Sequence, residues 1–170
     1  MVLLRYLTDC DEAVQAKVRD DWAQTEEWVT RIGANYFLDY EPVGDAHSTK
    51  RLYHNWVIFD NDQAVGIISA SITEQPSSES AAPADYPSLG TVTYIDPTHR
   101  RRGFASAAKL AILRHEAASG VRSFACVVEA DNPYSLRSIA NAGYKLVSTE
   151  PVEGKPDKLH YRRWTSTPWG

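Results

Sequence analysis

The stretch Thr91-Val92-Thr93-Tyr94-Ile95-Asp96-Pro97-Thr98-His99-Arg100-Arg101-Arg102-Gly103-Phe104-Ala105 runs on into an alanine-rich segment that reaches Ser119. Residues 91–95 alternate and are rich in β-branched and aromatic side chains, which predicts a strand. Asp96-Pro97 ends it, and helical spacing begins at Gly103. A strand that ends in a basic, glycine-containing turn and feeds a helix N-terminus is an anion site. The N–H groups of the first helical turn have no intrahelical partner, and the helix dipole favours negative charge there. Gly103 has two readings: it admits phosphate oxygens close to the backbone, or it only supplies a turn conformation. Arg100, Arg101 and Arg102 likewise read as phosphate contacts or as a solvated basic corner.

The chain has 170 residues, enough for one domain with a core, and the expected organisation is a single domain over 1–170. A hydrophobic content of 43% with 24% charged residues is ordinary for a globular protein. A net charge of −4 argues against nucleic acid as a partner. No apolar run suggests a membrane span, and the N-terminus has no signal-peptide pattern. Cys10 and Cys126 are too few for a disulfide framework or a zinc site, so no metal is expected. Cys126 reads as a small buried hydrophobe, and the expected setting is a reducing cytoplasm. Charge is uneven. Residues 1–45 carry ten acids against four bases, whereas residues 99–122 carry six bases against one acid. One part suits a polyanionic ligand and the other a cation.

Outward from the central stretch, residues 3–7 read as a strand. Thr8 is the expected N-cap of a helix with Val14, Val18 and Trp22 on one face. A second helix starts at Thr25, with Trp28, Val29 and Ile32 inward and Gly33 as its stop. Residues 34–53 read as an aromatic, acidic loop, residues 54–60 and 64–73 as a hairpin, and residues 74–90 as a Pro/Ser-rich loop. The helix after Gly103 is expected over residues 104–119, with Phe104, Ala107, Ala108, Ala111, Ile112 and Ala118 apolar. Ser106, Lys109 and Glu116 mark its polar side. A strand at 121–129 completes a βαβ unit. Asn132 caps a further helix with Pro133 at N1, inner residues Leu136, Ile139 and Ala140, and Gly143 as stop. Residues 144–149 and 158–165 are the last strands.

This order resembles the GNAT family of acyl-CoA-dependent N-acetyltransferases. One supporting segment is Ile95 to Ala105, similar to the family's strand, proline and Arg/Gln-x-x-Gly-x-Gly/Ala loop. The other is Asn132 followed eleven residues later by Gly143-Tyr144. The resemblance implies an α/β (α+β) fold. Its central mixed, mostly antiparallel sheet has about seven strands and is flanked by about four helices. It implies acetyl-CoA as acyl donor. The pyrophosphate would be held by Arg100, Arg101, Arg102, Gly103, Phe104, Ala105 and Ser106, mainly through backbone amides. The pantetheine arm would lie along Thr93, Tyr94 and Ile95, with Asn132 as a further contact. The implied reaction is direct attack of a neutral primary amine on the thioester.

The sequence departs from the family where catalysis is concerned. Many members place a tyrosine seven residues after the asparagine as general acid, and here Ile139 stands there. Tyr134, in the first turn of the same helix, is the first substitute, with Tyr94 and Tyr144 also nearby in sequence. The glutamate that some relatives carry on the preceding strand is replaced by Val127, which leaves Glu129, Glu74 and His54 as candidate bases. Trp22, Trp28, Tyr36, Phe37 and Tyr40 fall where the family walls its acceptor site, or they form core. The expected acceptor is an amine of a small, cationic molecule or of a peptide or protein. A homodimer is the expected assembly of such a family member. The competing reading is a non-catalytic acyl-CoA-binding sensor or interaction domain of the same fold. A nucleotide P-loop is disfavoured because the loop lacks Gly-Lys-Ser/Thr.

Overall fold

In the computed structural model, which describes residues 2–32, 51–74 and 82–165, the apolar alternation becomes a seven-stranded sheet. The strands are β1 (Val2–Tyr6), β2 (Arg51–Asp60), β3 (Gln63–Thr73), β4 (Ser88–Ile95), β5 (Ser123–Glu129), β6 (Lys145–Glu150) and β7 (Lys158–Trp164). They lie in the order β1-β2-β3-β4-β5-β7-β6. Every neighbouring pair is antiparallel except β4 and β5. The β2–β3 hairpin closes through Asn61-Asp62, and Asn61 takes the left-handed conformation that asparagine tolerates.

Both faces of the central strands are covered. Trp56, Val57 and Ile58 are fully buried in consecutive positions, as are Ile67 and Ile68. Such runs belong to strands packed on both sides. On one face Trp56, Ile68, Leu89 and Phe124 pack with Ala108, Ile112 and Ile139. These last come from helices α2 (Phe104–Leu113) and α3 (Pro133–Asn141). On the other face Val57, Ile67 and Tyr94 pack with Val18, Trp22 and Trp28. Each large buried side chain contributes about 1.5–3 kcal/mol, so the two layers together hold the sheet in place.

Several helix boundaries differ from expectation. Thr8 lies in a single 3-10 turn (Leu7–Asp9), and Asp11 instead caps α1 (Glu12–Ala16), its Oδ1 accepting from Val14 N–H at 2.9 Å. The chain continues as a π-helical turn (Lys17–Asp21) and a 3-10 turn (Trp22–Gln24), which still deliver Val18 and Trp22 to the core. Thr25 does act as a cap, accepting from Trp28 N–H ahead of the π-helical segment Trp28–Ile32. Helix α2 stops at Leu113 rather than Ser119. His115 turns extended, and its Nδ1 accepts from Ala117 N–H at 3.0 Å, starting a separate 3-10 turn. In α3 the buried residues are Ser138 and Ile139, whereas Ala140 is exposed. The expected stop Gly33 and most of the loop at 34–53 lie outside the described residues, and 75–81 do so within the second loop.

Gly66 sits where β3 meets the end of β4. A Cβ there would overlap the Tyr94 carbonyl oxygen and lie 3.1 Å from Ile95 Cα. Backbone cannot swing aside as a side chain can. Gly66→Ala is therefore expected to destabilise the protein by about 1–3 kcal/mol, read as a lower urea midpoint. An unchanged midpoint would show that the two strands are free to separate there.

Candidate active site

The parallel pair β4–β5 is short. Registered partners are Ser88 with Ser123, Leu89 with Phe124 and Gly90 with Ala125, and no pair follows. Beyond that point β4 keeps its antiparallel partner β3 as far as Ile95, while β5 keeps β7 as far as Glu129. Each strand follows its better-paired neighbour, and the two diverge. Residues 91–95 of β4 are thereby left without a strand partner on the β5 side.

A cavity of about 320 Å³ lies along this opening. From β4 it is lined by Thr93 and Ile95; from the loop by Arg100, Arg101 and Gly103. The first turn of α2 adds Phe104, Ala105 and Ser106, and α3 with its cap adds Asn132 and Tyr134. Tyr94 does not line it. Its side chain turns to the opposite face, 2% exposed, against Trp22 and Trp28. The Tyr94 side chain therefore does not serve the cleft.

The loop is shaped for an anion. Asp96 pins its start, with Oδ1 accepting from Thr98 N–H and Oγ1–H at 3.0 and 2.8 Å. Arg101 and Gly103 then adopt positive φ values of 63° and 83°. Left-handed residues in such a turn gather successive N–H groups into a concavity. No side chain caps α2, and its first backbone bond runs from Ala107 N–H to the Gly103 carbonyl. The N–H groups of Phe104, Ala105 and Ser106 are thus the orphan donors of a helix start, at the positive end of its dipole. A Cβ at Gly103 would meet no protein atom within 4 Å. Conformation, rather than crowding within the protein, selects glycine here, and the space beside those donors stays open to a ligand.

The three arginines have separate partners. Arg100 Nε donates to the Ile95 carbonyl at 2.9 Å, and its guanidinium pairs with Glu27, which also lines the cleft. Arg101 lies over the Tyr134 ring, 4.7 Å from its centroid, and donates to its hydroxyl. Arg102 lies over Phe104, 3.9 Å from Asp60, and does not line the cavity.

The catalytic candidates fall in different places. Tyr134 is 46% exposed, with its hydroxyl held at the loop end of the cleft by Arg101. Glu129 is the last residue of β5, opposite Lys158, and does not line the cavity. His54 stacks on Trp56, with its Nδ1 3.2 Å from the Tyr6 hydroxyl, in a cluster with His115 at the far end of α2. Burial, with some help from His115, pushes the His54 imidazole below its usual range. Glu74 is exposed just past the end of β3. Ile139 is 1% exposed, a core residue with no proton to give. Trp22 and Trp28 are core as well, and Tyr36, Phe37 and Tyr40 lie outside the described residues. Asn132 Oδ1 accepts from Ser135 N–H at 3.2 Å and so caps α3 at the cleft wall.

Lys109 overturns an expectation. Instead of marking the polar side of α2, it is 4% exposed and lines the cleft, with Nζ 3.2 Å from Thr93 Oγ1. Burial pushes its ammonium below the usual lysine range, and Cys126 opposes that only in part. Its position was readable: Lys109 stands three and four residues before the buried Ile112 and Leu113, and so on the apolar stripe. Cys126 is partly buried on β5, its thiol pushed up by burial against the pull of Lys109 and Thr91. Among the described residues no cluster of three or more His, Cys, Asp or Glu is placed to hold a metal ion. Nor is any helix there long and apolar enough to cross a membrane.

No curated protein matches the chain by sequence. Among solved structures, the chain is similar to the aminoglycoside acetyltransferase AAC(6')-Ib in complex with coenzyme A and kanamycin. The TM-score is 0.69 at 14% identity, covering 96% of this chain and 95% of that one. It is similar to a chimera of the spermidine N-acetyltransferase SpeG from Vibrio cholerae and hSSAT, with a TM-score of 0.66 at 13% identity, covering 97% and 96%. It is also similar to the N-acetyltransferase PseH of Campylobacter jejuni in complex with acetyl coenzyme A, with a TM-score of 0.61 at 13% identity, covering 98% and 100%. At these identities the likeness shows a shared fold. The family model of the acetyltransferase (GNAT) domain matches residues 2–145, most of the sheet together with the loop and both flanking helices. The match covers most of the chain, and the chain belongs to the GNAT acetyltransferase family.

Proposed function

We propose that the chain is an acetyl-CoA-dependent N-acetyltransferase, one domain acting on a primary amine of a small cationic molecule or a peptide. The observation that carries this reading is the parting of β4 from β5 after Gly90 and Ala125, directly beside the uncapped start of α2. Acetyl-CoA, when bound, supplies an acetyl group already activated as a thioester. The N–H groups of Gly103 to Ser106 would take the pyrophosphate. The edge of β4 from Thr93 to Ile95, which has no strand partner on the β5 side, would bond the pantetheine arm and polarise the acyl carbonyl. Arg101 would add charge at the loop, whereas Arg100 holds the loop to β4 and to Glu27.

The excess of acids in residues 1–45, ten against four bases, favours a cationic acceptor. The similar structures named for aminoglycoside and spermidine acetylation support an amine-bearing acceptor. Such an amine must shed a proton before attack, since an alkyl ammonium has a pKa of about 10.4. The test is thiol release from acetyl-CoA across a panel of polyamines, aminoglycosides and peptide N-termini, alongside calorimetric titration with CoA. CoA binding without turnover on any amine would favour the alternative, a non-catalytic acyl-CoA sensor, which draws its support from Ile139.

In this reading Tyr134 orients Arg101 and does not supply the proton for the leaving group. Tyr134→Phe is expected to leave kcat near wild type and to raise KM for acetyl-CoA a few-fold. That matches the loss of one hydrogen bond of about 0.5–1.5 kcal/mol. A large fall in kcat at constant KM would return Tyr134 to the acid role.

A further inference from the structure

We infer that Lys109 is the catalytic acid that protonates the leaving thiolate, in place of the tyrosine that Ile139 displaces. The inference rests on the acetyl-CoA reading above. Its starting point is a buried cation with no ion pair among the described residues. Lys109 is 96% shielded, and an ammonium carries three donors. The hydrogen-bond partner found for it is one neutral hydroxyl, Thr93 Oγ1 at 3.2 Å. A desolvated ammonium with no carboxylate beside it is costly, and it persists where a ligand brings the negative charge.

Its position says which charge. Thr93 lies three residues past Gly90, the last β4 residue registered with β5. Lys109 Nζ therefore sits in the throat of the opening and not at its phosphate end, where Arg101 and Tyr134 are. Lys109 bonds the Thr93 side chain on the β4 segment that would hold the acyl group, so a thioester sulfur bound there would lie beside its ammonium. Titratable neighbours do not compete for the role. Burial pushes both the Cys126 thiol on β5 and the Tyr144 hydroxyl above their usual ranges, so both stay neutral near neutral pH. The lowered Lys109 value brings the donor nearer to operating pH, where a general acid works best.

The step balances. The amine nitrogen forms the new N–C bond as the C–S bond breaks, and the electron pair leaves on sulfur. Lys109 Nζ gives sulfur a proton and becomes neutral. The proton shed by the acylated nitrogen passes to solvent, which restores the ammonium.

The test reads the CoA thiol directly. Far-ultraviolet thiolate absorbance of CoA bound to the wild-type protein is followed against pH, with the protein alone as reference. Ionisation is expected at a lower pH than in free CoA, because the ammonium favours the anion; in Lys109→Met that shift is expected to vanish. Kinetics give the second arm. Lys109→Met is expected to lower kcat roughly a hundred-fold with KM for acetyl-CoA little changed, and Lys109→Arg to retain the thiol shift. Bound CoA that ionises as free CoA does, in the wild-type protein, overturns the assignment even if Lys109→Met fails to fold. A wild-type kcat in Lys109→Met overturns it as well. Absence of CoA binding by the wild-type protein would overturn both this inference and the acetyl-CoA reading, whereas CoA binding with an unshifted thiol removes only Lys109.

Discussion

Gly103→Glu is expected to weaken acetyl-CoA binding by about a hundred-fold or more, measured by calorimetric titration. Two effects add. Gly103 holds φ at +83°, where a side chain costs roughly 1–2 kcal/mol of backbone strain. That strain distorts the turn that gathers the α2 donors. The new carboxylate would also enter the open space beside those donors. There it accepts their hydrogen bonds and repels a pyrophosphate. A hundred-fold change corresponds to about 2.7 kcal/mol, within reach of two charges held against one helix start. Gly103→Ala separates the contributions, since it carries the strain without the charge and should cost binding far less. Unchanged affinity in Gly103→Glu would remove the loop from the donor site.

Trp22→Ala is expected to cost about 3–5 kcal/mol of stability, read from urea unfolding, since the ring is 1% exposed and fills the core against Tyr94. The indole does a second thing. Its Nε1–H donates to Asp96 Oδ2 at 2.8 Å, and Asp96 is the residue that starts the donor loop. Burial works against the Asp96 carboxylate, but the bonds from Trp22 and Thr98, with Lys17 nearby, outweigh it and hold the carboxyl below its usual range. A carboxyl depressed in the folded state stabilises the fold above its unfolded pKa of about 3.9 and loses that contribution as pH falls through the folded value. Trp22→Phe keeps most of the packing and removes the donor. The stability gap between wild type and Trp22→Phe should be full at neutral pH and shrink as pH falls below about 4. A gap that does not change with pH would mean that the Trp22–Asp96 bond does not set the carboxyl's ionisation.

Much of the architecture was legible in local pattern. Strands β3, β4, β5 and β7 read to within two residues because β-branched and aromatic runs are bounded by strong turn residues, whereas β2 begins at Arg51, three residues inside the segment expected as loop. The helix starts at Gly103 and Pro133 were legible because their signals are chemical and local: a basic glycine turn in one case, Asn-Pro in the other. Helix ends were less so. Whether α2 runs past Leu113 depends on His115, whose ring captures a backbone N–H, and an alanine-rich composition does not reveal that. Glu129 and His54 looked plausible as bases because strand ends can border a cleft. Which ones do depends on how strands pair: Glu129 follows β7, and His54 lies toward the Tyr6 and His115 side.

The loop at residues 96–106 shows the division most clearly. Its sequence alone determined a helix start with orphan N–H groups beside a glycine and three arginines, since those features act over a few consecutive positions. Tertiary structure decided the rest, because charges and hydroxyls come together only through chain pairing across distant segments. It gave Arg100 to Glu27, Arg101 to Tyr134 and Arg102 to Phe104, three different roles for three identical residues. It parted β4 from β5 beyond Gly90 to open the cleft. And it turned Lys109 inward to Thr93, because α2 presents to the sheet the stripe that also carries Ile112 and Leu113.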